Sequence, residues 1–146
     1  MEKIKVLFIC VHNSARSQMA ETFLNHLSED RFKVESAGFE PTIINPIVVE
    51  VMKEIGFDIS KNQTKSVFDL FKQGRIFDYV IAVCDAANGE RCPIFPGVNK
   101  RLNWSFEDPA SFNGTHEEIL SRTRLVRDKI KFEIETFIKE QSSAAM

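Results

Sequence analysis

A chain of 146 residues with 43% hydrophobic and 27% charged side chains can build one globular domain with a sizeable core, which excludes a disordered polymer. Its net charge of −2 supplies no general attraction to nucleic acid or to anionic membranes, so any anion site has to be made locally. The apolar run Val6 to Val11 is too short for a signal-peptide core or a membrane span, and three cysteines are an odd number that argues against a disulfide framework. A cytoplasmic monomer is therefore expected, with a single domain over 1–141 and a frayed polar tail over 142–146.

Lys3 to Ile9 is short, apolar and β-branched and reads as a buried strand ending at Cys10. Ser14 to Leu27 follows as a helix, with Met19, Phe23 and Leu27 on its apolar stripe. Phe32 to Ser36 is a second strand, closed by Ala37-Gly38. Asn45-Pro46 has the cap-then-proline form of a helix start; Ile47, Val51 and Ile55 make its stripe and Gly56 closes it. A short helix over 65–71 ends near Gly74, and Asp78 to Val83 is a strand that ends at Cys84. A loop rich in Gly, Pro and Asn covers 85–97, and Arg101 to Trp104 is a last strand. Thr115 and Glu118 have capping-box spacing before a long helix that turns Ile119, Leu125, Ile130, Ile134 and Phe137 to the core.

Strands that alternate with helices imply an α/β three-layer sandwich, a four-stranded parallel sheet with helices on both faces. Ligands of such sheets bind beyond the carboxyl ends of the strands. Cys10 and Cys84 both follow strands directly, so two cysteines far apart in sequence reach one sheet edge.

The segment Cys10-Val-His-Asn-Ser-Ala-Arg16-Ser17 joins a strand to a helix. A compact loop entering a helix can aim several backbone N–H groups inward as an anion nest, and a cysteine at its start faces a field that favours the thiolate. Val11, His12, Asn13, Ser14, Ala15 and Arg16 would form that oxyanion cradle. Arg16 adds a planar charged fork for two oxygens of a tetrahedral anion. Ser17 can donate to the sulfur, and Asn13 suits a left-handed position or a side-chain pin for the loop.

The stretch Val-Leu-Phe-Ile-Cys-Val-His-Asn-Ser-Ala-Arg-Ser-Gln-Met-Ala-Glu resembles the signature of thioredoxin-coupled arsenate reductases built on the low-molecular-weight protein tyrosine phosphatase fold. The likeness continues through Ser36-Ala-Gly38, Cys84-Asp-Ala, Cys92-Pro and Trp104-Ser-Phe-Glu-Asp108-Pro109-Ala110. It implies that Cys10 attacks an arsenate-like or phosphate-like group. Asp108 would protonate the leaving oxygen, with Glu107 as the second candidate. It also implies a relay in which Cys84 attacks the Cys10 adduct and Cys92 then attacks Cys84. The resulting disulfide would be reduced by thioredoxin, or by a low-molecular-weight thiol with glutaredoxin. No bound cofactor is implied.

Seven residues separate Cys84 from Cys92, one more than in the best-known members of that family. Gln18 stands where the tyrosine phosphatases of this fold have proline, and Ala110 where they present an aromatic side chain. Both features set the reductase reading above the alternative, a phosphatase working through a phosphocysteine at Cys10. A third reading is an oxyanion-binding or redox-sensing module without turnover. Some family members bind potassium beside the loop; Asn13, Glu21 and Ser36 match that site, while Ser66 stands near the position of an expected aspartate.

Overall fold

The computed structural model describes residues 3–84 and 100–144, of which 142–144 are described by backbone alone. Four strands, β1 (Ile4–Cys10), β2 (Phe32–Gly38), β3 (Tyr79–Cys84) and β4 (Lys100–Ser105), form one sheet in the order β2-β1-β3-β4. All three pairings are parallel. The helices are α1 (Arg16–Ser28), α2 (Pro46–Lys53), α3 (Val67–Lys72) and α4 (His116–Ala144), and Pro109–Ser111 makes one 3-10 turn. This is the expected α/β fold. The stretch 85–99, which includes Cys92 and all of the expected loop, lies outside the described residues.

Both faces of the central strands are buried, as a parallel sheet requires. Val6 and Phe8 on one face and Leu7 and Ile9 on the other are fully covered. The first face carries Phe8, Tyr79 and Trp104, and Phe137 of α4 packs its ring edgewise or tilted against Phe32, Tyr79 and Trp104. Helices α1 and α2 each pack against α4 over this face. Val67 and Leu70 of α3 also enter the core.

The sequence pattern placed three stripe residues wrongly. Leu27 is 40% exposed and Ile55 39% exposed, and the buried stripes run instead through Met19, Ala20, Phe23 and Leu24 in α1 and through Val48, Val51 and Met52 in α2. Spacing of i, i+4, i+8 turns about 80° off its starting line, because each fourth residue overshoots a full turn by about 40°. Leu125 is 62% exposed on α4 and stands on the face opposite Ile130 and Ile134. Helix α4 also continues to Ala144, into the stretch expected to be a tail.

The caps predicted at Asn45 and Thr115 form, and Ser66 supplies a further one at α3. The Asn45 side chain accepts from Ile47 N and the Ser66 side chain from Phe68 N. Thr115 and Glu118 form the reciprocal box, Glu118 N to Thr115 Oγ1 at 3.2 Å and Thr115 N to Glu118 Oε1 at 3.3 Å. Helix α1 differs: its N-cap is Ala15, which offers no side-chain acceptor, so its first N–H groups are uncapped by any side chain.

At the end of β2, Gly38 passes directly under the loop that follows β1. A Cβ there would stand 2.7 Å from Asn13 N and from His12 C and 2.9 Å from Val11 O, all backbone atoms. Gly38→Ala is expected to lower the unfolding free energy by about 1–3 kcal/mol, through overpacking against backbone that cannot yield, measured by urea denaturation.

Candidate active site

The loop from Cys10 to Arg16 is held by its carbonyl groups. Phe39 N donates to Cys10 O (3.2 Å), Glu40 N to Val11 O (2.7 Å), Thr42 N to His12 O (3.1 Å) and Asn45 N to Ser14 O (2.9 Å). Gln18 Nε2 donates to Asn13 O at 3.1 Å. Within a planar trans peptide the C=O and the next N–H point in opposite directions. Carbonyls anchored to the 39–45 segment and to Gln18 therefore turn the following N–H groups to the other side, where they form the nest. One of them is seen at work: Asn13 N donates to Cys10 Sγ at 3.1 Å. Asn13 takes the left-handed conformation this needs, with φ 55°.

A second set of bonds aims the Ser17 hydroxyl. Lys65 N is a donor, so the atom it meets on the Asn13 amide, at 2.9 Å, is Oδ1. That leaves Asn13 Nδ2 to donate to Ser17 Oγ at 2.8 Å. Ser17 Oγ lies 2.9 Å from Cys10 Sγ, so its hydroxyl can donate to the sulfur when that is a thiolate and accept from it when it is a thiol. Gln18 closes the arrangement: Nε2 also reaches Asn13 Oδ1 (3.2 Å) and Gln63 O (3.2 Å), and Oε1 accepts from Asn62 Nδ2 (3.3 Å). The thiol of Cys10 is buried and not in a disulfide.

Arg16 is buried at the start of α1. Its Nη1 donates to Phe106 O at 3.1 Å, and its Nη2 lies 3.5 Å from Asp108 Oδ2. Asp108 is in turn held by Ala110 N, which donates to its Oδ1 at 3.0 Å. The fold thus brings Asp108 to the loop, which the sequence order alone leaves open. Glu107 points elsewhere, to an exposed pair with Arg122. His12 bonds through Nδ1 to Glu40 O at the loop's outer side.

Cys84 ends the strand next to β1, and its carbonyl accepts from Phe106 N at 3.1 Å. Phe106 therefore links Cys84 by its N–H to Arg16 by its carbonyl. The register sets Ile9 opposite Ala82. By the alternation of the pleat, Cys10 shares a face with Ile81 and Val83, while Cys84 belongs to the opposite face. Cys84 is fully buried there.

Glu21, Ser36 and Asn13 lie around the base of the loop. Burial raises the Glu21 carboxyl above the usual carboxylate range; a Ser36 hydrogen bond and the nearby Lys65 charge oppose that rise. Ser36 Oγ is buried beside the Glu21 carboxylate, and no other hydrogen-bond partner for it stands among the described residues. Asn13 Oδ1 already accepts from Lys65 N and Gln18, and the Ser66 hydroxyl caps α3. Only Glu21 and Ser36 retain oxygen for a cation, and Lys65 already brings positive charge to Glu21 and Glu35. The residues therefore do not make a full potassium cage. Among the described residues no cluster of His, Cys, Asp and Glu could hold a metal ion.

Sequence reading missed the parts played by Gln18, Lys65 and Phe106. Gln18 was visible only as a departure from proline. Lys65 and Phe106 act through backbone groups, for which residue identity carries no signal.

A strand ending in a buried cysteine whose sulfur accepts from the Asn13 amide of the loop that follows, with a buried arginine at the end of that loop, defines an enzyme of the cysteine-dependent, oxyanion-handling class. The chain belongs to the family described as low molecular weight phosphotyrosine protein phosphatase, which matches residues 5–144. It is 42% identical over 140 residues to an arsenate reductase of Shouchella clausii, a match covering 94% of this chain and 96% of that protein. A solved structure described as an arsenate reductase in the phosphate binding state superposes with a TM-score of 0.76 at 30% identity, covering 94% of this chain and 98% of that one. A thioredoxin-dependent arsenate reductase of Corynebacterium glutamicum superposes with a TM-score of 0.59 at 32% identity, covering 92% of this chain and 63% of that one.

Two expectations follow from this geometry. Gln18→Leu strands the buried acceptor Asn13 O and removes the part-buried bond to Gln63 O, so stability should fall by about 1–3 kcal/mol and phosphate should protect Cys10 less well from iodoacetamide. A stability loss with unchanged protection would assign Gln18 to packing alone. For Glu21, the folded state binds its proton more tightly than the unfolded chain does, so its contribution to stability is lost as pH rises from about 4.3 through the raised folded value. Glu21→Gln should then gain stability relative to the parent as pH rises across that window, read from urea midpoints at each pH.

Proposed function

We propose that this chain is a cytoplasmic arsenate reductase, with one catalytic domain over 1–141 and arsenic detoxification as its role. The observation that carries the reading is a cysteine nest of this kind beside a second strand-end cysteine, Cys84, in a chain whose relatives are named arsenate reductases.

Arsenate enters the cradle of Val11, His12, Asn13, Ser14, Ala15 and Arg16, where inward amides and the guanidinium balance its charge. The Cys10 thiolate attacks arsenic. Asp108 supplies the proton as one oxygen leaves as water, which gives a Cys10–arsenic(V) adduct. The Cys84 thiolate then attacks Cys10 Sγ. The S–S bond forms, the S–As electron pair stays on arsenic, and arsenic(III) departs as arsenite. Cys92 attacks Cys84, which frees Cys10 and leaves a Cys84–Cys92 disulfide. An external dithiol reduces that disulfide back to two thiols and is itself oxidised to a disulfide, so two thiols are oxidised for each arsenic reduced.

Cys84 is buried on the face opposite Cys10, so the end of β3 has to leave its place for this exchange. Departure of Cys84 also releases its carbonyl from Phe106, and with it the support of Arg16. Thioredoxin is the favoured reductant, in keeping with the Corynebacterium glutamicum enzyme; a low-molecular-weight thiol with glutaredoxin is the other source. No bound cofactor takes part.

Arsenate turnover with thioredoxin, thioredoxin reductase and NADPH tests the scheme. Cys10→Ser should abolish turnover, Cys84→Ser should stop it at the first adduct, and Cys92→Ser should stop it after a single arsenite with Cys10 and Cys84 joined in a disulfide. Full turnover by both of the latter variants would rule out the relay. Rapid phosphotyrosine hydrolysis that depends on Cys10 alone, in their place, would make the chain a phosphatase.

A further inference from the structure

Helix α4 buries Leu120, Val126, Ile130, Ile134 and Phe137 against the rest of the fold. Its opposite face carries two large apolar side chains, Leu125 at 62% exposure and Phe132 at 68%. They border a groove of about 410 Å³ whose wall includes Phe106, Asp128 and Lys129. An exposed apolar pair on a 29-residue helix with charged neighbours calls for an occupant, and the order of the charges indicates which one.

Residues seven apart on a helix drift only about 20° per step, so Glu118, Leu125, Phe132 and Lys139 lie close to one line, with Asp128 and Lys129 astride its midpoint. All six are exposed. Consider a two-fold axis perpendicular to α4 and passing between Asp128 and Lys129. It sets two copies antiparallel and joins residues equally distant from the midpoint. Leu125 then meets Phe132 of the second copy, Asp128 meets Lys129, and Glu118, one of whose oxygens caps the helix, meets Lys139. Each apolar residue finds an apolar one and each charge its opposite. A face built to receive an unrelated partner has no reason to be complementary to its own reverse, whereas a two-fold interface must be.

We infer that the outer face of α4 is a self-association surface, through which two copies of this chain pair as an antiparallel, two-fold dimer. The monomer expected from composition is then the low-concentration form. The contact is one helix wide, so the dimer is weak and depends on concentration. It covers the groove wall formed by Phe106, the residue whose carbonyl holds Arg16.

Sedimentation velocity of the full chain from micromolar to millimolar concentration tests this under reducing conditions, which exclude intermolecular disulfides. The sedimenting mass should rise from one chain toward two. Phe132→Glu, on the exposed face and so without cost to folding, should weaken association by about tenfold or more. Lys129→Asp should weaken it too, by setting acids against acids, and adding Asp128→Lys should restore it, because the exchanged pair is again self-complementary. A chain that stays monomeric throughout, a dimer indifferent to Phe132→Glu, or a charge exchange that fails to restore association would overturn the inference and leave this face to a different partner.

Discussion

The site depends on carbonyl groups that face away from it. Five carbonyls of the loop after β1 are tied to Phe39, Glu40, Thr42, Asn45 and Gln18, and those ties turn the amides toward the sulfur. A run of peptide dipoles aimed at one point would repel itself in a free peptide. Here the cost is met by hydrogen bonds on the outer side, which exist only because β2 lies beside β1 and its chain continues under the loop. Gly38 allows that close passage, since any side chain there would meet backbone.

The same support extends to the groups around the sulfur. Lys65 N orients the Asn13 amide, the amide orients the Ser17 hydroxyl, and the hydroxyl meets Cys10 Sγ. A chain of bonds of this kind holds the groups around the Cys10 sulfur in place. On the far side, Arg16 rests on Phe106 and Asp108, which come from the segment after β4. That segment is tied to Cys84 through Phe106 N, so the two sides of the site differ in kind. The β2 side is an anchored bed, and the β3–β4 side holds the groups that a thiol relay would need to move.

The uncapped start of α1 fits this division. Helices α2, α3 and α4 begin with a side-chain oxygen in the cap position, and α1 begins after Ala15. A capping side chain would occupy the amides that an anion is to receive. The absence of a cap at this one helix is therefore consistent with its use as a binding element.

By itself the amino-acid sequence determined the order and type of the elements, the parallel sheet, the caps at Asn45 and Thr115, and the convergence of Cys10 and Cys84 on one sheet edge. These follow from local spacing and from turn chemistry, which act over a few residues. It misjudged Leu27, Ile55 and Leu125, because an apolar residue one step off the stripe has the same composition as one on it. Only the tertiary structure decided that Asp108 rather than Glu107 faces Arg16, that Gln18 and Lys65 brace the loop, and that Cys84 faces away from Cys10. Those outcomes rest on backbone groups brought together from distant segments and on the pleat of a neighbouring strand, and neither is written in the identity of a residue.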